Sequence, residues 1–280
     1  MLISCLKVTG SFKDRGARNV LMCLSEEERM NGVFVGSTGN FARAISYHGR
    51  DLGIPVTVVL PRYASLTTIT TCAQYGANVV VKGKTHEESM KTAFKLACER
   101  NGKFINGHDH LDVMAGAGTI ALEILQEVQN IDAVLVPVGG GGLLTGITIA
   151  TKNISSRIKV IGLESETCPT LRTALTEGRP TVVQPLPSFA DGLAMKRVGC
   201  NAFYSLKDMI DGVVAIREGS LATGILKMLE EEKIVLEGAG AIGPAALLAG
   251  NIEGLLGRRI VCILSGGNID SSLIGRAIEK

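Results

Sequence analysis

Lys13 lies in a short polar and aromatic turn, Ser11-Phe12-Lys13. Three small-residue stretches far from it share its chemical usefulness: Ser37-Thr38-Gly39-Asn40, Gly139 to Gly142, and Ser265-Gly266-Gly267-Asn268. An unprotonated amine attacks carbonyl carbon, and the positive charge of nearby Arg15 favours the unprotonated form of Lys13. Phe12 offers a flat face to cover a ring. Glycine-rich turns leave backbone N–H groups open to an anion, most of all where a helix starts. One lysine, two hydroxyl- and amide-bearing turns and a run of four glycines together suit a phosphorylated aldehyde.

Each piece alone has a plainer reading. Most lysines are solvated. Gly139 to Gly142 follows neither the G-x-G-x-x-G nor the Walker A spacing, because no Gly-Lys-Ser/Thr follows, and it suits a tight strand-to-helix turn. S-T-G-N in isolation is better read as a helix N-cap, and 265–268 as a turn. The combination carries the argument.

The elements that must position these residues alternate. The stretch up to Gly10 reads as the end of a strand, and a helix starts near Asp14 and runs toward Leu24. Ser25 and Glu28 have capping-box spacing for a second helix. Strands are expected at 33–35, 56–60, 78–81, 104–105, 133–138, 159–164, 212–216 and 259–264. Helices are expected at 41–52, 66–75, 86–100, 115–128, 143–152, 169–175, 218–231, 242–248 and from Ser271. Gly178 to Ala194, with three prolines, reads as a long loop. Strands alternating with helices of this length imply parallel sheets in an α/β fold. The expected division is a small inserted domain, 37–107, and a large domain formed by 1–36 and 108–280.

Composition narrows the classes. The chain has 280 residues, 46% hydrophobic, with 34 glycines and no Trp, as expected of an α/β enzyme with many strand-to-helix turns. A net charge of +2 is a poor electrostatic footprint for nucleic acid. Seven cysteines without a C-x-x-C pair favour reduced thiols over a disulfide framework or zinc site. No apolar run approaches the roughly 20 residues that span a bilayer. The stretch before Lys7 is too short for a signal peptide. The expectation is a soluble, cytoplasmic protein.

The four pieces, taken with their surroundings, resemble the pyridoxal-phosphate (PLP) enzymes of the tryptophan-synthase-β-like fold (fold type II), in particular threonine/serine ammonia-lyases and serine racemase. The shared stretches are SFKDRGA (11–17), STGN (37–40), AGAGTIALEI (115–124), VPVGGGGLLTG (136–146), ADGLAMKRVG (190–199), EGAGA (237–241) and LSGGNID (264–270). They run in family order through almost the whole chain. The resemblance implies two open parallel-sheet α/β domains with the PLP site in the cleft between them, and a homodimer. It implies that Lys13 holds the cofactor as an internal Schiff base and later moves the Cα proton. Phe12 and Asn40 would contact the cofactor ring and its 3′-oxygen. The backbone of Gly139, Gly140, Gly141 and Gly142, with Leu143 next to it, would hold the phosphate. Ser265 would hydrogen-bond the pyridine nitrogen, and Ser37, Thr38, Gly39 and Asn40 would take the substrate carboxylate. The reaction implied is β-elimination from L-threonine or L-serine to a 2-oxo acid and ammonia.

Several positions depart from the family. Relatives carry a longer segment before the lysine turn, whereas twelve residues precede Lys13 here, so the chain reads as N-terminally short. Related dehydratases commonly read S-A-G-N-H where this chain has Thr38 and Phe41. The Thr38 hydroxyl then stands where racemases use a serine to deliver a proton to the opposite face of Cα. Gly107-His108-Asp109-His110-Leu111 replaces a P-F-D-D-P-like stretch. His108 and His110 have the look of a metal pair, but two loop histidines are more often polar surface. The family's divalent-cation site would start at Glu164, yet position 170 is Thr where the racemase has an acid. His48 and His86 read as ordinary surface or packing residues. Besides the lyase, the alternatives are a serine racemase or dual racemase-lyase, and a catalytically inactive homologue with the same fold. The chain ends soon after LSGGNID, so feedback by isoleucine is not expected. Adding isoleucine to an activity assay tests this, and inhibition contradicts it.

Overall fold

The computed structural model describes residues 8–279. The chain divides into two compact units, Ser11–Gly116 and Met1–Gly10 with Ala117–Lys280. Each is built on four parallel strands, as the α/β expectation required.

In the first unit the strand order is β3-β2-β1-β4, with β1 Val33–Gly36, β2 Val56–Leu60, β3 Asn78–Val81 and β4 Lys103–Phe104. β1 and β2 are buried at every position, which explains their unbroken apolar runs, because parallel strands are covered on both faces. The helices are α1 Lys13–Met22, α2 Glu26–Asn31, α3 Asn40–Asp51, α4 Leu66–Gln74 and α5 His86–Glu99, with α6 Leu111–Glu127 beginning here. The capping box at Ser25 and Glu28 forms as read from the sequence. Ala17, Val20 and Leu21 of α1 bury with Ala42 and Ile45 of α3, and His48 Nε2 lies 3.2 Å from the buried Asp14 carboxylate. His48 is therefore a packing residue, as read. Gly36 closes β1 so tightly against α5 that a Cβ there would lie 2.6 Å from the Met90 Cα, which excludes any side chain.

In the second unit the order is β7-β6-β5-β8, with β5 Ala133–Pro137, β6 Lys159–Ser165, β7 Gly212–Ile216 and β8 Ile260–Cys262. Its helices are α7 Gly142–Ile154, α8 Thr170–Glu177, α9 Cys200–Leu206, α10 Glu218–Glu230, α11 Gly238–Leu248 and α12 Ser271–Ile278. Leu135, Leu163, Ile216, Leu221, Ile225 and Ile242 form the heart of one apolar core. Gly224 lets α10 approach α11, where a Cβ would stand 2.8 Å from that of Ala245.

The structure corrects four expectations. β1 is an inner strand of the first unit's sheet and pairs with β2 and β4, so the expected boundaries at 37 and 107 move outward to 11 and 116. α9 was not read from the sequence; it is short, starts at a glycine N-cap, and opens with the poor helix formers Cys and Asn. α11 starts at Gly238, earlier than expected, because its glycines pack against other backbone: a Cβ at Gly240 would lie 2.4 Å from the Gly266 carbonyl. α6 starts at Leu111 rather than 115, capped by His110, whose Nδ1 accepts from the Asp112 N–H. The 178–194 loop is as irregular as expected and holds one 3-10 turn, Asp191–Leu193. Val8–Gly10 form a turn, while the rest of the strand expected before Gly10 lies outside the described residues. Among the described residues no helix is long and apolar enough to cross a membrane.

Leu135 is fully buried in β5, whereas Leu256 is fully exposed. Leu135→Ala is expected to lower the unfolding free energy by about 2–5 kcal/mol. Leu256→Ala should stay within about 0.5 kcal/mol of wild type. Urea melts measure both, and equal losses at the two positions contradict this core.

Candidate active site

Lys13 and the 37–40 turn lie inside the first unit. Lys13 opens α1, and its Nζ donates to the Gly107 carbonyl at 3.0 Å. The same Nζ stands 4.9 Å from the Phe12 ring centroid and 5.9 Å from that of Phe41, so the amine is set between two aromatic faces. Gly107 has no room for a side chain, since a Cβ would lie 2.2 Å from the Phe41 ring. Ser37-Thr38-Gly39-Asn40 joins β1 to α3. Ser37 is buried and its Oγ accepts from the Gly39 N–H at 3.4 Å, while Thr38 is exposed. The N-cap of α3 is Gly39, which has no side chain to accept from the helix's N–H groups, so neither Ser37 nor Thr38 is its N-cap residue.

His86, read from the sequence as ordinary, belongs to this neighbourhood. Its ring N–H donates to the Gly36 carbonyl, one residue before the 37–40 turn, and its ring centroid lies 6.2 Å from that of His108. Burial pushes its pKa below the usual 6.5, opposed by Glu87 and the Gly36 bond and reinforced slightly by the charge of Lys13. The spacing of histidines carried no signal for this, because the contact arises from the β3–α5 crossover.

The glycine run and Ser265 lie inside the second unit. Gly139 to Gly142 links β5 to α7, with Gly141 as N-cap at φ +94°, a left-handed conformation that favours glycine. As a glycine, Gly141 offers α7 no capping side chain. A Cβ on Gly139 would lie 3.1 Å from the Leu193 Cα, and the Gly140 carbonyl accepts from the Gly199 N–H at 3.0 Å. Leu143 follows, buried. Ser265 is buried in the turn after β8, and β8 pairs with β5. That turn is braced from two sides. The Glu237 N–H donates to the Gly266 carbonyl, and Asn268 Nδ2 donates to the Thr9 carbonyl at 2.8 Å.

Residues 4–266 match the family described as pyridoxal-phosphate dependent enzyme. That match covers most of the chain. The chain belongs to this family. It is 41% identical to the L-threonine ammonia-lyase of Thermotoga maritima over 275 residues, 98% of this chain and 68% of that protein. The processed form of threonine deaminase isoform 2 from Solanum lycopersicum superposes with a TM-score of 0.91 at 32% identity, covering 99% of this chain and 81% of that one. Serine racemase from Dictyostelium discoideum superposes with a TM-score of 0.88 at 34% identity, covering 95% and 86%. The resemblance read from the motifs is thereby confirmed, and with it two parallel-sheet α/β units of the fold type II enzymes.

The residues of this pyridoxal-phosphate enzyme fit its cofactor. A lysine amine held beside two rings suits an aromatic aldehyde, and the α7 N-terminus, uncapped and glycine-lined, suits a phosphate. The cation expected beside Glu164 fits less well. Glu164 is fully buried, and its two oxygens accept from the Leu171 and Arg172 N–H groups and from the Thr170 hydroxyl, so the carboxylate closes the N-terminus of α8. Burial raises its pKa against those bonds. Among the described residues no group of three or more His, Cys, Asp or Glu is arranged to hold a metal, and His110 of the suspected pair is a helix cap. Burial also pushes the Cys168 thiol to about 11 and Cys262 to about 12, so both stay protonated near neutrality and act as packing.

The lowered pKa of His86 sets a pH dependence. The unfolded chain takes up a proton near 6.5 and the folded chain only at lower pH, so stability present above 6.5 is lost as pH falls below it. His86→Asn is expected to flatten this loss in urea melts taken from pH 8 to pH 5. Equal losses in wild type and variant contradict the assignment.

Proposed function

We propose that this chain is a PLP-dependent ammonia-lyase that converts L-threonine and L-serine to 2-oxobutanoate and pyruvate, each with ammonia. The observation that carries the reading is the placement of Lys13, its amine held by the Gly107 carbonyl between Phe12 and Phe41. It is supported by 41% identity to an L-threonine ammonia-lyase.

The cofactor, when bound, supplies an electron sink for the pair left on Cα. The chain does the rest. Lys13 anchors the cofactor's aldehyde carbon and then removes the Cα proton. The 37–40 turn takes the substrate carboxylate on Ser37, Thr38, Gly39 and Asn40, with the N-terminus of α3 contributing its positive end. Phe12 and Asn40 would contact the cofactor ring, Gly139 to Gly142 and Leu143 would hold the phosphate, and the Ser265 hydroxyl would face the pyridine nitrogen, where a carboxylate would instead hold a proton. The hydroxyl leaves Cβ as water with the proton that Lys13 took from Cα, and hydrolysis of the resulting enamine gives the 2-oxo acid and ammonia. The same reading takes the chain as a cytoplasmic homodimer. It leaves out a cation at Glu164, whose oxygens are already engaged by α8.

A second reading, serine racemase or a dual racemase-lyase, is favoured by one feature: the exposed Thr38 hydroxyl in the carboxylate turn, in a fold shared with a serine racemase at 34% identity. Incubation with L-threonine and L-serine, keto-acid quantification and chiral chromatography of residual serine separate the two. The lyase reading expects 2-oxobutanoate and pyruvate, and a loss of about 10²–10⁴-fold or more in Lys13→Ala. D-serine without keto acid supports the racemase instead. Turnover unaffected by Lys13→Ala contradicts both.

A further inference from the structure

The glycine turn does not hold its own shape. Gly139 to Gly142 carries no side chains, and its outer wall is supplied by a segment of the irregular loop that follows α8. The backbone at Gly192 and Leu193 presses on Gly139, with a Cβ there falling 3.1 Å from the Leu193 Cα and 3.3 Å from the Gly192 carbonyl oxygen. Further along, Val198 and Ala202 close on Gly141, at 3.0 and 2.9 Å from a Cβ placed there. A loop with three prolines and a single 3-10 turn has little regular backbone bonding to fix it in place. Something must anchor it.

Glu218, the first residue of α10, stands at that anchor. Its Oε1 accepts from the Ser165 and Ser188 hydroxyls, each at 2.6 Å, and its Oε2 accepts from the Phe189 N–H at 2.8 Å. Ser188 Oγ in turn accepts from the Ala190 N–H at 2.9 Å, and the Leu193 N–H closes the 3-10 turn on the Ala190 carbonyl. The Glu218 N–H is itself held by Glu166 Oε1 at 3.1 Å. One carboxylate thus joins the end of β6, the start of α10 and the loop segment that walls the glycine turn. The Thr167 hydroxyl also donates to Oε1, at 3.4 Å; an acceptor-only group suits these four converging donors, and charge-assisted bonds are the stronger kind.

We propose that Glu218 is a positioning residue for the phosphate: it fixes the 188–193 segment, and that segment fixes Gly139 to Gly142 with their N–H groups set for the anion. The inference rests on the reading of Gly139 to Gly142 as the phosphate turn. Glu218 acts through the loop backbone and not on the reacting atoms. Its removal is therefore felt through the phosphate and not through the ring of the cofactor. The side chain of Gln has the same shape and keeps one oxygen for the Phe189 N–H. Its amide N–H₂ faces two hydroxyls that can turn round and accept, so Glu218→Gln should preserve most of the arrangement. Ala preserves none of it.

The test compares binding of pyridoxal phosphate with binding of pyridoxal, which lacks the phosphate, to the full chain after removal of cofactor. Wild type is expected to prefer the phosphorylated form. Glu218→Ala is expected to reduce that preference on the order of tenfold while leaving pyridoxal affinity in place. Ser188→Ala, which removes the Ser188 hydroxyl's bonds to Glu218, Ser165 and the Ala190 N–H and keeps Glu218 with its other donors, should shift the preference in the same direction by less, and it carries the test if Glu218→Ala does not fold. Glu218→Gln should remain near wild type. Equal weakening of both ligands in Glu218→Ala, or an unchanged preference in both the Ala variants, overturns the role given to Glu218. A wild type without preference for the phosphorylated form overturns the phosphate turn itself.

Discussion

Parallel pairing of inner strands is the constraint on which everything else depends. Strands that run in one direction and pair in register deliver their following turns to the same edge of the sheet. In the first unit Phe34 pairs with Phe104, and three residues beyond each stand Ser37 and Gly107. The 37–40 turn and the carbonyl that holds Lys13 are thus neighbours because β1 and β4 are neighbours. In the second unit Leu135 pairs with Cys262, and just beyond them lie Gly139 and Ser265. The same rule brings the glycine run beside the serine turn. Sequence separations of about seventy and more than a hundred residues are closed by backbone hydrogen bonds alone.

The chemistry placed at those edges is mostly backbone chemistry. Both turns proposed to take an anion open helices whose caps are glycines, Gly39 and Gly141. A serine or aspartate cap would stabilise either helix by roughly 1 kcal/mol, but its oxygen would occupy the N–H groups that an anion needs. The site gives up that stability at both helix starts. Several other helices do carry side-chain caps: Ser25 with Glu28, Ser65 with the Thr68 N–H, Thr85 with the Glu88 N–H, and Glu164 at α8.

The regular parts of the fold were legible in the sequence for the same reason that they form. β2, β3 and β7 read correctly to the residue because runs of branched residues between Gly, Pro and Asn stops have no competing structure. α9 was missed because Cys200–Leu206 has neither a side-chain cap nor the length for a helical period to emerge. The unit boundary was placed too late because β1 gives no local sign of which sheet it joins; only its pairing with β2 and β4 does so. Among site residues, Lys13 and the three turns stood out by type. His86 and Glu218 did not, since their roles come from contacts made across crossovers, with Gly36 and with the 188–189 segment. Glu164 was read for its charge, and the structure shows that charge answering a helix N-terminus.

Lys13 is the proposed anchor of the cofactor. The most direct measurement is borohydride reduction of the protein purified with added pyridoxal phosphate, followed by proteolysis and mass mapping of every lysine. The account predicts a phosphopyridoxyl adduct on the peptide bearing Lys13, at close to one per chain, and none above background elsewhere. An adduct spread over surface lysines, or Lys13 recovered unmodified while another lysine carries the label, would contradict it.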